Sequence, residues 1–570
     1  MAKLITNPLL EIRLKGTQSQ MGHQYGEIIA SQGGYHEMLD FYPRMAESLL
    51  LSGLPRRARK GPAKGIAANL MQWAVNALSK NRDEDYSGRM TAMLRAANVS
   101  PEVGKHMLVM DVFQNSIGVL GRLGALHMND RALLHAIPAC TSAVVWGSMS
   151  ADGELMHARN FDFPGVGVWD KSPTIVYCTP DKGIPYAYLG ARGADVPGIT
   201  AFNAEGLSVT FHTRFHKDVD FSSMGVIDLG HDIVRQARTI AEAIEIVASR
   251  KVASTWGIMV TSAKEKNAAV IETTAKKCRV TWGQHDRHGQ TNHYLHSDLH
   301  DGEIATSAAW TPYTIDRMRL MDKFFRGAGE RGGATLTDMQ NFLGCDYEVD
   351  MPGKSRMMGS LVGHVMSVQS VVFKLQSGIV SLSVGEAPTG WGPYLDLAVN
   401  WSGDALRVVD LAKEKLSVVT APYRQAEKAR AYEHFQRGYL MDFGGAPLED
   451  IVKEMQRAAE FAPEDTSLQF VLGALALESK DNAAGLVHFN AALASEAAPY
   501  RVGQNLLWAS RAAAALGQKS EAEAYRRRLY GIQHPGLGEL KRLAEKEAAR
   551  LFPRRDFSDI VLNIAMLDAA

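Results

Sequence analysis

The sequence predicts an α+β fold, in which consecutive antiparallel hairpins alternate with helix pairs, set between a helical N-terminal segment and an all-helical C-terminal region. Three observations predict it. The apolar period is three-and-four up to about residue 120, changes to two at Cys140, and returns to three-and-four after about Gln425. The period-two stretches are joined by turn signals, Asp152-Gly153, Pro180-Asp181-Lys182-Gly183 and Asn203-Ala204-Glu205-Gly206, which mark hairpins rather than parallel crossovers. At 570 residues the chain also exceeds the roughly 250 to 300 at which a single core stops growing, so two or three units are expected.

The first unit is placed at residues 1–139. Residues 35–50, 67–78, 87–97 and 103–115 carry apolar side chains at helical spacing, and the basic, Pro/Gly-containing stretch 54–64 between them reads as a loop. The second unit is placed at 140–420. Its β-like runs are 141–147, 154–159, 174–178, 186–189, 199–202, 207–211, 257–261, 268–273, 278–282 and a last hairpin of 365–374 with 379–384. Helices are expected at 224–249, 312–325 and 336–343. The third unit, 421–570, is Ala-rich and helical. Gly438 and Gly473 lie 35 residues apart, Pro463 and Pro499 36, and Ala458 and Ala492 34, a spacing that fits tetratricopeptide-like helix hairpins or an ordinary helical bundle.

Composition excludes several function classes. Hydrophobic residues at 46% and charged residues at 22% are ordinary for a globular protein, so neither disorder nor a fibrous repeat is indicated. Lys plus Arg equals Asp plus Glu, 62 each, which leaves no global field to attract nucleic acid or an anionic membrane; the basic runs at Arg56 to Lys60 and Arg526 to Arg528 read as solvated faces. No stretch of about 18 uncharged apolar residues predicts a membrane span, and the start lacks a basic region followed by a long apolar run, so a cytoplasmic protein is expected. Cys140, Cys178, Cys278 and Cys345 are too scattered for a disulfide framework or a zinc site. Each is a core thiol or a reactive one.

Cys140 is the candidate for reactivity. A lone cysteine beside alternating apolar residues is ordinarily a small core hydrophobe. Cys140, however, opens the first strand of the α+β unit directly after the irregular stretch Ala136-Ile137-Pro138-Ala139. Cleavage between Ala139 and Cys140 would place a free α-amine beside the thiol, and an amine with a pKa of about 7.7 to 8.0 is a competent base at neutral pH. The nucleophile would then carry its own base.

Several motifs follow in order: Cys140-Thr141-Ser142, Arg159-Asn160-Phe161-Asp162-Phe163, Gly198 to Leu207 with Asn203-Ala204-Glu205-Gly206, Val270-Ile271-Glu272, and Thr291-Asn292-His293. Weaker ones are Gly16, Met21-Gly22-His23-Gln24-Tyr25-Gly26, Arg317-Met318 and Gly385 to Pro388. In this order and spacing they resemble the isopenicillin N acyltransferase-like (acyl-CoA:6-aminopenicillanic acid acyltransferase-like) cysteine peptidases and acyltransferases. These belong to the N-terminal-nucleophile hydrolases, which include bile-salt hydrolases and acid-ceramidase-type amidases. The resemblance spans roughly residues 12 to 395.

It implies a four-layer αββα sandwich and a self-processing enzyme that cuts a linear amide through an acyl-Cys140 intermediate, by hydrolysis or by transfer to an amine. It further implies that Asn292 donates to the oxyanion from its side-chain amide and Asn203 from its backbone or side chain, that Arg159 lowers the thiol's pKa, and that Asp162 holds the new α-ammonium. No cofactor or metal is called for, and the partner is a small-molecule acyl amide or peptide. Trp146, Phe161, Phe163, Trp169 and Phe211 are candidate walls of an apolar acyl pocket, with core packing as the alternative. One departure is Ala139, where the family has glycine; glycine supplies the strained backbone of self-cleavage most readily, and alanine is small enough not to forbid it.

Each residue also has a plainer reading. Asn203 and Gly206 fit a tight turn, Arg159 with Asp162 a strand-end ion pair, Asn292 a loop bond, and Glu272 a brace for its strand. Two whole-protein alternatives stand beside the enzyme. The five histidines His285, His288, His293, His296 and His300 could ligate a hydrolytic metal. Alternatively, an unprocessed chain could bind a protein partner, or itself, through its C-terminal helices.

Overall fold

The computed structural model describes residues 4–52, 54–122, 140–417, 426–549, 557 and 560–569. The chain opens with a strand, β1 (Leu9–Gly16), followed by helices α1 (Gln18–Gln32), α2 (His36–Ser52), α3 (Pro62–Leu78), α4 (Glu84–Ala96) and α5 (Pro101–Arg122). Ten strands come next: β2 (Thr141–Val145), β3 (Met156–Asp162), β4 (Pro173–Pro180), β5 (Tyr186–Ala191), β6 (Thr200–Asn203), β7 (Leu207–Thr213), and, after α6 (Val226–Gln236) and α7 (Ile240–Ser249), β8 (Trp256–Ser262), β9 (Asn267–Thr273), β10 (Cys278–Trp282) and β11 (Arg287–Gln290). Helices α8 (Trp310–Glu330) and α9 (Leu336–Leu343) lead to β12 (Ser367–Lys374), β13 (Ile379–Ser383), β14 (Tyr394–Ala398), β15 (Leu406–Val409) and β16 (Leu416–Ser417).

Two sheets result. A nine-stranded sheet runs β10-β9-β8-β7-β6-β5-β4-β1-β15 and a seven-stranded one runs β11-β2-β3-β12-β13-β14-β16. The period-two pattern decides what each face meets. On β7, Ser208, Thr210 and His212 point between the sheets, where they bond Ser142 of β2 and His157 of β3, while Val209 turns to the opposite face, with α6 and α7. Ile175, Tyr177, Leu189 and Phe202 of the large sheet pack against Val371, Phe373, Leu382 and Leu395 of the small one. The outer face of the small sheet, with Ala143, Val145, Met156 and Ala158, is covered by Leu320, Met321 and Phe325 of α8 and by Met339 and Phe342 of α9. Leu229, Ile233 and Ile240 of α6 and α7 cover Val209, Ile258 and Ile271 of the large sheet. The order helix, sheet, sheet, helix is the four-layer α+β sandwich the resemblance implies.

The N-terminal segment departs from the expectation of helices alone. β1 is the last strand but one of the large sheet, parallel to β4 and antiparallel to the edge strand β15. Its alternation of Leu10, Ile12 and Leu14 with Glu11, Arg13 and Lys15 is the signal for it. Gly22 and Gly26 on α1 then allow a close crossing of α4, since a Cβ at either would come within 2.1–2.2 Å of the Arg89 or Met93 carbonyl oxygen. Arg89 reaches from α4 onto the outer face of the large sheet and pairs with buried Asp195 through two bonds of 2.7 and 3.0 Å.

After residue 425 the described chain is helical: α10 (Ala426–Phe443), α11 (Leu448–Phe461), α12 (Thr466–Glu478), α13 (Asn482–Ser495), α14 (Pro499–Ala515), α15 (Lys519–Gly531) and α16 (Gly538–Ala548). Gly473 of α12 faces the Phe489 ring of α13, and Gly438 of α10 faces Met455 of α11, so the 35-residue spacing of these glycines marks equivalent helix crossings. A short ribbon, β17 (Leu562–Asn563) with β18 (Asp568–Ala569), ends the chain and is buried along nearly its whole length.

Candidate active site

Cys140 lies immediately before β2, at the edge of the inter-sheet space, and is 2% exposed. β3 is its hydrogen-bonded neighbour, and the pairing of Thr141 with Asn160 brings Arg159 and Asp162 alongside it. The Arg159 Nη2 lies 3.4 Å from the Cys140 Sγ and also donates to the Phe211 carbonyl at 2.8 Å, while Nη1 donates to Thr200 Oγ1. Burial pushes the thiol pKa up; Arg159 opposes that most strongly, with further lowering from the Asp162 backbone amide and Arg317.

Asp162 is fully buried. Ser367 Oγ donates to its Oδ1 at 2.6 Å, whereas Oδ2 makes no hydrogen bond among the described residues and has His364 Nε2 3.4 Å away. His364 is itself fixed: its Nδ1 accepts from the Met366 amide, and its Nε2 is 2.8 Å from the Tyr313 hydroxyl. The loop 364–367 thus holds one carboxylate oxygen and leaves the other able to accept.

Asn292 follows β11. Its Nδ2 donates to the Thr213 carbonyl at 3.1 Å and its Oδ1 accepts from Arg317 Nη2 at 2.8 Å. The second hydrogen on Nδ2 makes no bond among the described residues. Arg317 also donates to the Cys140 carbonyl at 3.0 Å and to Thr141 Oγ1 at 2.9 Å, so this one guanidinium ties the nucleophile's backbone to Asn292. In the sequence Arg317 stands out only as a charge on the same helical face as Tyr313, Leu320 and Met321, which assigns it no role.

Asn203 is not brought into this group. Its Nδ2 hydrogens go to the Val234 and Ala237 carbonyls, and its Oδ1 accepts from the Glu205 and Leu207 amides. With all four of those positions filled, its side chain has no donor left for an oxyanion, which removes the side-chain form of the role expected of it and leaves only its backbone amide. Glu272 is a brace, accepting from the Leu295 and His296 amides. Ala139, and with it the expected cleavage bond, lies outside the described residues.

A small pocket of about 40 Å³ lies beside Cys140. Phe161, Phe163, Trp169 and Phe211 line it, and Tyr42, Met107 and Met110 of the N-terminal helices close it from the other side. Trp146 does not belong to it; this ring packs with Leu155, Met259 and Val270 between the sheets. Behind the nucleophile, His157 bonds Ser208 at 2.8 Å and Ser142 at 3.1 Å, and His212 bonds Ser142 at 2.9 Å. Burial lowers both imidazoles, His157 to about 3, so the network is neutral at pH 7.

Among the described residues, His285, His288, His293, His296 and His300 do not converge into a group of three ligands. His288 bonds the Thr281 carbonyl, His293 sits between Thr291 and Thr314, His296 accepts from Asp298, and His300 bonds the Tyr294 carbonyl. Among the described residues, Asp316, Asp350 and His534 are the one convergent group of three ligand residues, and Arg319 already bridges its two carboxylates at 2.8–3.1 Å.

No curated protein sequence matches the chain. Among solved structures, a Caenorhabditis elegans ortholog of N-acylethanolamine-hydrolyzing acid amidase is 16% identical, with 41% of this chain and 92% of that one covered at a TM-score of 0.28. Penicillin V acylase from Agrobacterium tumefaciens is 12% identical, with 43% and 83% covered at a TM-score of 0.26. At these scores neither fixes the chemistry. Residues 149–341, about a third of the chain, match the family model for acyl-coenzyme A:6-aminopenicillanic acid acyl-transferase, and the match takes in Arg159, Asp162, Asn292 and Arg317. Over residues 149–341 the chain is therefore similar to the acyl-coenzyme A:6-aminopenicillanic acid acyl-transferase family.

Proposed function

We propose that the protein is a self-processing cysteine amidohydrolase or acyltransferase that acts on a linear amide carrying an apolar acyl group. The observation that carries this reading is the placing of Arg159 and Asp162 beside Cys140 on an aromatic-lined pocket, with Arg317 joining the Cys140 carbonyl to Asn292. Cleavage between Ala139 and Cys140 would free the Cys140 α-amine, and the open Oδ2 of Asp162 would accept from that amine once it is protonated.

Cys140 Sγ then attacks the amide carbon while its proton passes to the α-amine. The carbonyl oxygen becomes an oxyanion and takes the free Nδ2 hydrogen of Asn292. Collapse breaks the carbon–nitrogen bond, the leaving amine takes the proton, and an acyl thioester remains. Water or a second amine attacks that thioester, its proton returns by way of the α-amine, and the thiol is regenerated. Phe161, Phe163, Trp169 and Phe211 receive the acyl group.

Intact-mass measurement tests the processing step. A fragment of 139 residues and a larger one beginning at Cys140 are expected, and Cys140→Ala should give neither fragment nor turnover of N-acyl amides. The fragments should co-purify, because β1 is a sheet strand and the Arg89–Asp195 pair crosses the cut. A Cys140→Ala chain that still splits at the same bond would overturn self-catalysis.

A further inference from the structure

We propose that the outward face of α3 docks the protein on an anionic lipid surface. Ile66, Leu70 and Trp73 are 68%, 46% and 68% exposed. Their spacing of four and three puts them in one stripe along the helix. This is not the core face, because Met71 and Val75 already supply that on another side of the helix, where they are buried. A helix with two apolar faces has one more than folding requires. The second face is bordered by exposed, neutral Asn69, Gln72 and Asn76.

Charge selects the occupant. From Ser48 to Arg82 there is no Asp or Glu, but there are seven Lys and Arg residues. Arg56 turns inward to Asp442 and Glu478, and Arg82 to Asp111 and Asp228. Lys60 and Lys64 are exposed at the start of α3 and Lys80 just past its end, Lys64 with Glu47 3.6 Å away. A second copy of the chain on this face would set lysines against lysines around the rim. A lipid surface matches both features, since tryptophan and aliphatic side chains settle at the headgroup boundary and lysine stems extend to the phosphates. No described helix is long and apolar enough to cross a membrane, so α3 would lie along the surface.

The placement bears on the site. α3 packs on α2 and α5, the helices that give Tyr42, Met107 and Met110 to the pocket beside Cys140. On the proposed function, which this step alone rests on, the pocket's helical wall would lie next to the lipid, and acyl amides carried in that surface would be the substrates.

Co-sedimentation of the full chain with phosphatidylcholine vesicles, with and without phosphatidylglycerol, tests the docking and needs no turnover. Binding should require phosphatidylglycerol, weaken as salt rises, and fall about tenfold or more in the double variant Ile66→Glu, Trp73→Glu. The variant's thermal melt should be unchanged, both side chains being exposed. A wild-type chain left in the supernatant, equal binding to neutral vesicles, or equal binding by the variant would overturn the proposal. So would a concentration-dependent dimer, seen by ultracentrifugation and lost in the variant, which would assign the face to a second copy.

Discussion

Arg317 holds the candidate site together. One guanidinium spans the Cys140 carbonyl, Thr141 Oγ1 and Asn292 Oδ1, and its plane lies over the Tyr313 ring at 4.4 Å. A lysine keeps the charge but not the planar fork that reaches three acceptors in fixed directions. Arg317→Lys should therefore lower kcat by about tenfold or more while leaving KM nearly unchanged, because Asn292 loses its orientation and the acyl pocket is untouched. Steady-state kinetics on a soluble N-acyl amide would show this split. A rise in KM alone would mean that Arg317 serves substrate binding instead. The second positioning residue, His364, acts on Asp162 in the same indirect way, through a loop far from it in sequence.

At the scale of elements, the β6–β7 hairpin shows how a family motif can serve the fold. Asn203 closes the turn on Glu205 and Leu207 and fastens the hairpin to the end of α6 through the Val234 and Ala237 carbonyls. Asn203→Ala should cost about 2 kcal/mol or more of stability, since several buried backbone groups lose a partner, yet leave the kcat of the folded enzyme unchanged. Denaturant unfolding together with active-site-normalised rates would check it. A large fall in kcat without destabilisation would return Asn203 to the chemistry. The strand β1 teaches the opposite lesson, because its alternation was present in the sequence, but eight residues ahead of five helices are easily absorbed into a helical segment.

For the whole molecule, the C-terminal helices are fastened to the sandwich by buried charge. Glu348, which follows α9, pairs with Arg501 of α14 at 2.9 Å and lies 3.3 Å from Arg356, which in turn pairs with Glu496 at 2.7 Å. Arg56 makes a second tie, from the N-terminal segment to Asp442 and Glu478. Burial alone would raise the Glu348 pKa, but Arg501 and Arg356 outweigh it and hold the carboxyl at about 2. A depressed carboxyl contributes its stability fully above an unfolded pKa of about 4.3 and loses it as the pH falls toward 2. Glu348→Gln should thus cost about 3 kcal/mol or more at pH 7, leaving two buried arginines short of charge. The gap to the wild type should close as the pH approaches 2. Melting curves at both ends of that range would check the sign, and a gap that widens in acid would contradict the pairing.

Sequence alone determined the class of the fold, the place where helices give way to strands, and the placing of Cys140, Arg159 and Asp162 together. Those features are local: a strand's alternation, a turn's residues and a short hairpin lie within about 20 neighbouring positions, and the pairing of β2 with β3 brings Arg159 to Cys140. Tertiary structure decided what depends on distant packing. It separated Asn292 from Asn203 by showing which side-chain amide still has a hydrogen to give, and it moved Trp146 out of the pocket that Phe161, Phe163, Trp169 and Phe211 do line. It also brought Arg317 and His364, 177 and 224 residues beyond Cys140, onto the same site. No periodicity in the chain encodes such a meeting, because it is fixed by how four layers stack and not by what any one layer contains.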